Sequence, residues 1–95
     1  MLSKDKKESI MCEAITKYGI VKQQAVAMEE MGELIQQIAK MIRGDGNIIN
    51  LVEEMADVYI MLEEIKQIYT ISDKELEDEM NFKLVRLNER MKEEE

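Results

Sequence analysis

The sequence contains no histidine, no proline and no tryptophan, and its only cysteine is Cys12. Without histidine the chain cannot form a Ser-His-Asp triad, a Cys-His pair or an imidazole metal site. A single cysteine forms no intrachain disulfide, whereas short secreted domains usually carry several, so we expect a cytoplasmic location. These absences leave the carboxylates as the main candidates for chemistry.

Long apolar segments and an excess of positive charge are also missing. The longest uninterrupted apolar segment, 58–62, is far shorter than the roughly 20 residues that a membrane span needs, so we expect no membrane association. Lysines near the N-terminus are not followed by an apolar segment, and no signal peptide is predicted. The chain has 13 basic and 21 acidic residues, a net charge of −8. Because nucleic-acid-binding surfaces are basic, a DNA or RNA duplex is not an expected partner.

The residues that are abundant favour helices, and apolar residues recur at spacings of three and four. Asn50 with Glu53, and Ser72 with Glu75, match the capping-box pattern that begins a helix. The 95 residues are therefore predicted to form one all-α domain, an antiparallel bundle of about four helices. The predicted helices are about 3–18, 20–43, 50–69 and 72 to the charged C-terminal residues.

A chain of this size buries only about two-thirds of the surface that it exposes when unfolded. Pairing of helices between subunits is a direct way to complete such a small core. We therefore expect self-association, as a homodimer or a homotetramer.

Two pairs of carboxylates depart from the usual pattern in which acids face solvent. Glu54 lies within the apolar stripe of the third helix, and Asp57 lies at the edge of that stripe. Glu30 and Glu33 project from neighbouring turns of the second helix. Burial of an unpaired carboxylate is costly, so we expect a positive group to meet Glu54. Two antiparallel helices joined by a short loop can bring the pairs together.

Four carboxylates without a basic partner favour Mg²⁺ or Mn²⁺, and about two divalent ions would balance their charge. Gly32, between Glu30 and Glu33, is compatible with close approach of a ligand and equally with simple helix packing. An ordinary salt-bridged surface remains the alternative to a metal site, because acidic pairs at this spacing arise by chance in a chain with 21 acids.

The two pairs occur in the segments Glu-Glu-Met-Gly-Glu (29–33) and Glu-Glu-Met-Ala-Asp-Val (53–58). This arrangement resembles the MazG-like, all-α nucleoside triphosphate pyrophosphohydrolases, whose signature is E-x-x-E, a variable spacer and E-x-x-D. The resemblance covers mainly residues 21–69. It implies that Glu30, Glu33, Glu54 and Asp57 are the catalytic, Mg²⁺-binding residues. It also implies hydrolysis of a nucleoside triphosphate between its α- and β-phosphates to a monophosphate and pyrophosphate.

Basic residues form one stripe on the fourth helix, at Lys83, Arg86 and Arg90. MazG-like proteins are similar in having Lys and Arg there that reach the triphosphate, and Lys40 is a further candidate. Intrahelical ion pairs, such as Glu79 with Lys83, are the alternative role for these residues. The alternative for the whole chain is a non-catalytic acidic helical module for interaction or regulation, which would retain an exposed apolar stripe after self-association.

Overall fold

The computed structural model describes all 95 residues. It contains four α-helices and no strand, which confirms the all-α prediction. No helix in it combines the length and the apolar character that crossing a membrane requires. In chain order the helices are α1 (Lys4–Tyr18), α2 (Ile20–Arg43), α3 (Ile48–Tyr69) and α4 (Asp73–Glu93).

The start of α3 differs from the sequence prediction. Asn47 Oδ1 accepts hydrogen bonds from the backbone N–H groups of Ile49 and Asn50, at 2.8 and 3.3 Å. The prediction that Asn50 caps the helix is wrong, because Asn47 already satisfies these free amides and Asn50 lies within the first turn. The loop between α2 and α3 is correspondingly short, and it begins at Gly44, whose φ of 89° suits glycine.

The start of α4 agrees with the prediction. Ser72 Oγ accepts a hydrogen bond from the Glu75 backbone N–H at 3.1 Å, and Glu75 Oε2 accepts one from the Ser72 backbone N–H at 2.8 Å. This reciprocal pair is the predicted capping box. Just before it, Thr70 ends α3 in the left-handed conformation, with φ 55° and ψ 47°.

The antiparallel pair of α2 and α3 is the centre of the fold, and α1 packs against both helices. The buried apolar side chains are Ala27 on α2 and Val58 and Met61 on α3. Gln67 Nε2 of α3 donates a hydrogen bond to the backbone oxygen of Glu8, which ties α1 to the pair at 3.1 Å. The small core therefore lies along the α2–α3 contact.

The fourth helix does not join this bundle. Beyond its first residue, Asp73, α4 packs against no other helix, and every residue in it is exposed. Lys66 of α3 forms ion pairs with Asp73 and with Glu63, and Lys4 of α1 lies 3.7 Å from Asp73. These pairs hold the start of α4 at the end of α3. Within one chain the predicted four-helix bundle is thus a three-helix bundle with α4 projecting from it.

Candidate metal centre

The α2–α3 pair brings the four singled-out carboxylates together. Because the helices are antiparallel, Glu30 and Glu33 on α2 lie opposite Glu54 and Asp57 on α3. One oxygen from each of the three glutamates lies within 4.8 Å of the others. Asp57 is close enough to form a side-chain hydrogen bond with Glu30 when one of the two carboxyls is protonated. The register that the sequence left open is therefore the one that places the two pairs face to face.

Two oxygens of this cluster have neither solvent nor a hydrogen-bond partner. Glu30 Oε2 and Glu54 Oε2 are both shielded in this way, although their residues as a whole are only half-buried. None of the four carboxylates forms an ion pair with a lysine or an arginine. The chain itself thus does not supply the positive group that we expected beside Glu54, and the cost of shielding these oxygens is left uncompensated.

The pKa values of Glu30 and Glu54 are raised by the same lack of solvent and of a positive partner. Burial, followed by the charges of Glu33 and Asp57, raises the pKa of Glu30 from 4.5 to about 7. Burial and the charge of Glu33 likewise raise the pKa of Glu54. Repulsion among carboxylates and loss of solvent both favour uptake of a proton or a cation.

The donor set fits a divalent metal ion. All four groups are carboxylates, and hard oxygen donors without sulfur or imidazole suit Mg²⁺ or Mn²⁺. A cation at this position would give the shielded oxygens of Glu30 and Glu54 the partner that they lack. Glu33, which is exposed, and the half-buried Asp57 leave one side of the cluster open to solvent. Such an opening is needed if a ligand is to share the ion.

Gly32 lies on α2 beside this cluster, but packing within the chain does not account for it. A Cβ atom placed there would meet no other atom within 4 Å. Glycine in a helix interior costs up to about 1 kcal/mol relative to alanine, which leaves the position unexplained by the single chain. Close approach of a ligand and packing against another helix both stay predictions for Gly32, and no neighbour within the single chain accounts for it.

The predicted phosphate-binding residues are not brought to the cluster within one chain. Lys83, Arg86 and Arg90 are on α4, which projects away from the α2–α3 pair. Lys83 Nζ lies 4.0 Å from Glu79 Oε1, which is the intrahelical ion pair given above as the alternative role. Arg86 and Arg90 form no ion pair. Lys40 is exposed on α2, two turns beyond Glu33. Binding of a triphosphate by these residues stays a prediction.

One polar pair at the centre of the fold was not singled out from the sequence. Gln23 Nε2 donates a hydrogen bond of 2.7 Å to Glu64 Oε1, and both side chains are buried. The signal was present, since Gln23 lies one turn before Ala27 and Glu64 three residues after Met61, on the buried faces of their helices. Their pairing helps to fix the α2–α3 register, and therefore the alignment of the acidic cluster.

The geometry thus provides an oxygen-only cluster on two adjacent helices, open on one side and without a cation from the chain. Comparison of the chain with protein-family models, with curated proteins and with solved structures finds no match.

Proposed function

We propose that the chain is a Mg²⁺-dependent nucleoside triphosphate pyrophosphohydrolase that works as a cytoplasmic homo-oligomer. The observation that carries the proposal is the carboxylate cluster, in which the shielded oxygens of Glu30 and Glu54 have no partner. The resemblance of the two acidic segments to the MazG-like signature supports the same activity. The substrate is a ribo- or deoxynucleoside triphosphate, cleaved between the α- and β-phosphates to a nucleoside monophosphate and pyrophosphate.

The proposed roles follow from charge. An acidic protein repels a triphosphate unless cations reverse the sign of the local potential. Glu30, Glu33, Glu54 and Asp57 hold the metal, which when bound neutralises phosphate charge and lowers the pKa of water. The carboxylates would fix the ions at one place but are themselves negative, so any further positive charge beside the phosphates has to come from basic side chains. Lys40, Lys83, Arg86 and Arg90 are the proposed cationic contacts to the phosphates.

The test is release of pyrophosphate from a panel of ribo- and deoxynucleoside triphosphates, with Mg²⁺ or with a chelator. We expect release only with the metal. Glu54→Gln should reduce it by about 100-fold or more, since even loss of a residue that supports a ligand costs about 10- to 100-fold. Glu53→Gln is the matched control, because Glu53 is exposed on the neighbouring position of α3 and should retain activity. No turnover of any triphosphate would refute the enzymatic proposal.

Metal binding has a second readout that does not depend on turnover. Mg²⁺ should raise the Tm of the wild type, since a ligand that binds only the folded state stabilises it. Without metal, Glu54→Gln should melt at or above the wild-type temperature, because it relieves repulsion at a shielded oxygen. An unchanged wild-type Tm with Mg²⁺, together with strong destabilisation by Glu54→Gln, would instead indicate a structural role for Glu54.

The second candidate function is a non-catalytic interaction module, and one surface favours it. Ile10 and Met11 of α1 and Tyr59 and Ile60 of α3 line an apolar cavity of about 560 Å³. Three of these side chains, Ile10, Tyr59 and Ile60, are exposed in the single chain. If no triphosphate is hydrolysed, this cavity is the first surface to test for binding of an amphipathic helix.

A further inference from the structure

The antiparallel pair of α2 and α3 is joined by one buried polar contact. Gln23 Nε2 donates a hydrogen bond of 2.7 Å to Glu64 Oε1, and only 7% and 4% of the two residues are exposed. The one other side-chain hydrogen bond between these helices, from the Tyr69 hydroxyl to Gln24 Oε1, is exposed. No ion pair links α2 to α3. The contact of Gln23 with Glu64 is therefore the only polar contact between the two helices from which water is excluded.

This hydrogen bond lies on the same line of helix contact as the carboxylate cluster. Gln23 precedes Glu30 by seven residues on α2, and Glu64 follows Asp57 by seven residues on α3. Because the helices are antiparallel, this spacing places the hydrogen bond about two turns, or about 10 Å, from the cluster along both helices. Between the two along the helices lie the three buried apolar residues of the chain, Ala27, Val58 and Met61. All the buried residues thus form one block that ends at the cluster.

Repulsion within the cluster acts against the alignment of the two helices. Four carboxylates without a cation from the chain favour a slide that moves them apart. The apolar part of the block resists a slide weakly, since hydrophobic burial has no direction. The hydrogen bond resists it strongly, because a slide would leave a buried amide and a buried carboxylate without partners. Gln23 and Glu64 therefore supply the directional contact that keeps the repelling groups opposite one another.

The spacing of the carboxylates decides which divalent cation they suit. Mg²⁺ requires nearly ideal octahedral geometry with oxygens at about 2.1 Å, whereas Ca²⁺ accepts irregular geometry at about 2.4 Å. In the aligned cluster, one oxygen from each of Glu30, Glu33 and Glu54 lies within 4.8 Å of the others. If the helices were free to slide, the contacts of the smaller ion would be lost first. A fixed spacing thus favours Mg²⁺, and a relaxed spacing favours Ca²⁺.

We propose that the hydrogen bond between Gln23 and Glu64 is a positioning contact that makes the carboxylate cluster select Mg²⁺ over Ca²⁺. Neither residue is a metal ligand, and both act through the alignment of the carboxylates two turns away. The inference rests on the metal centre of the proposed function, and it adds a determinant of metal choice outside the four ligands. Residues that orient metal ligands change metal affinity by about 10- to 100-fold, which sets the scale of the expected effect.

Competition between metal ions tests the selectivity. Free Mn²⁺ is measured by electron paramagnetic resonance while Mg²⁺ or Ca²⁺ displaces it from the protein, which gives the ratio of the two affinities. Gln23→Met combined with Glu64→Met removes both partners of the hydrogen bond, and replacement of both by apolar groups of similar shape is nearly neutral for stability. We expect the affinity for Mg²⁺ relative to Ca²⁺ to fall by about 10-fold or more in this double variant. Loss of the Glu64 charge weakens binding of both ions alike and leaves the ratio unchanged.

Three further variants separate positioning from other effects. Gln23→Glu combined with Glu64→Gln reverses donor and acceptor at the same net charge, and it should restore the wild-type ratio. Tyr69→Phe removes the exposed hydrogen bond between the same helices and should retain that ratio. Glu64→Gln alone keeps a weaker hydrogen bond between two amides, so it should show a smaller fall. It also covers the case in which the methionine double variant does not fold.

The outcomes distinguish this inference from the metal centre on which it rests. A wild-type affinity ratio in the methionine double variant or in Glu64→Gln would overturn the inference and leave the metal centre intact. So would a reversed pair that does not restore the ratio, or a wild type that binds Ca²⁺ as tightly as Mg²⁺. A wild type that binds no divalent ion would refute the metal centre itself, and the inference with it.

Discussion

At the scale of single residues, position matters more than composition. Most of the 21 acids are exposed to solvent, whereas Glu30 and Glu54 each have an oxygen without solvent or a partner. The same side-chain chemistry therefore has two consequences in one chain. On the surface it adds to the negative charge of the protein, and at the α2–α3 contact it favours uptake of a proton or a cation.

The raised pKa of Glu30 predicts how stability depends on pH without metal. Between the ordinary value of 4.5 and the folded value of about 7, the folded chain keeps a proton that the unfolded chain has released. The stabilisation is present at low pH and is lost as pH rises through about 7. Urea unfolding in a chelator, from about pH 5 to about pH 8, should show this loss.

Glu30→Gln is the control for that measurement, because it removes the titrating group and keeps the shape of the side chain. Its stability should fall less steeply across the same pH range than that of the wild type. Equal slopes for the two proteins would contradict a raised pKa at Glu30. Mg²⁺ should also flatten the wild-type profile, since a bound cation favours the ionised carboxylate.

At the scale of helices, local sequence signals predicted most of the fold. The helix periods, the end of α2 at Arg43 and the Ser72–Glu75 capping box are all found in the structure. These features depend on neighbours within a few residues, so the sequence alone determines them. The start of α3 was predicted incorrectly, because Asn47 and Asn50 both lie three residues or fewer from a suitable amide and only the loop geometry selects one.

Alanine substitutions should distinguish the two asparagines at the start of α3. Asn47→Ala removes the acceptor for two backbone amides and should lower the free energy of unfolding by about 1 kcal/mol. Asn50→Ala replaces an exposed residue of the first turn and should change it by less than about 0.5 kcal/mol. Urea unfolding of both variants measures the difference. A larger loss for Asn50→Ala would restore the predicted cap.

At the scale of the whole molecule, the sequence indicated which faces are apolar but not which of them meet within one chain. Ile35 and Ile42 of α2 and Leu84 of α4 belong to the apolar residues that recur at helical spacing, yet all three are exposed in the single chain. Periodicity gives the same signal for a face that packs within a chain and for one that packs between chains. The acidic cluster was easier to anticipate, because its four residues lie on adjacent antiparallel helices whose loop limits the register.

The proposed self-association predicts that stability depends on protein concentration. For a dimer whose separate chains are only marginally folded, mass action favours the folded state as concentration rises. The Tm of the wild type should therefore rise steadily over a hundredfold range of concentration, and the Tm of Leu84→Glu should be lower and constant. Calorimetry or circular dichroism measures both. A wild-type Tm that does not change with concentration would contradict a dimer that is required for folding.

The left-handed Thr70 at the corner between α3 and α4 has a consequence for conformational entropy. A β-branched residue in this region costs about 1–2 kcal/mol, which glycine would avoid. Glycine, however, would also let the corner sample many more backbone angles, and α4 has no packing of its own to restrict them. Threonine is strained in this conformation, but its backbone samples fewer angles than that of glycine, and this limits the directions in which α4 leaves the bundle. If α4 packs against another surface, it therefore loses less conformational entropy than it would with glycine at position 70.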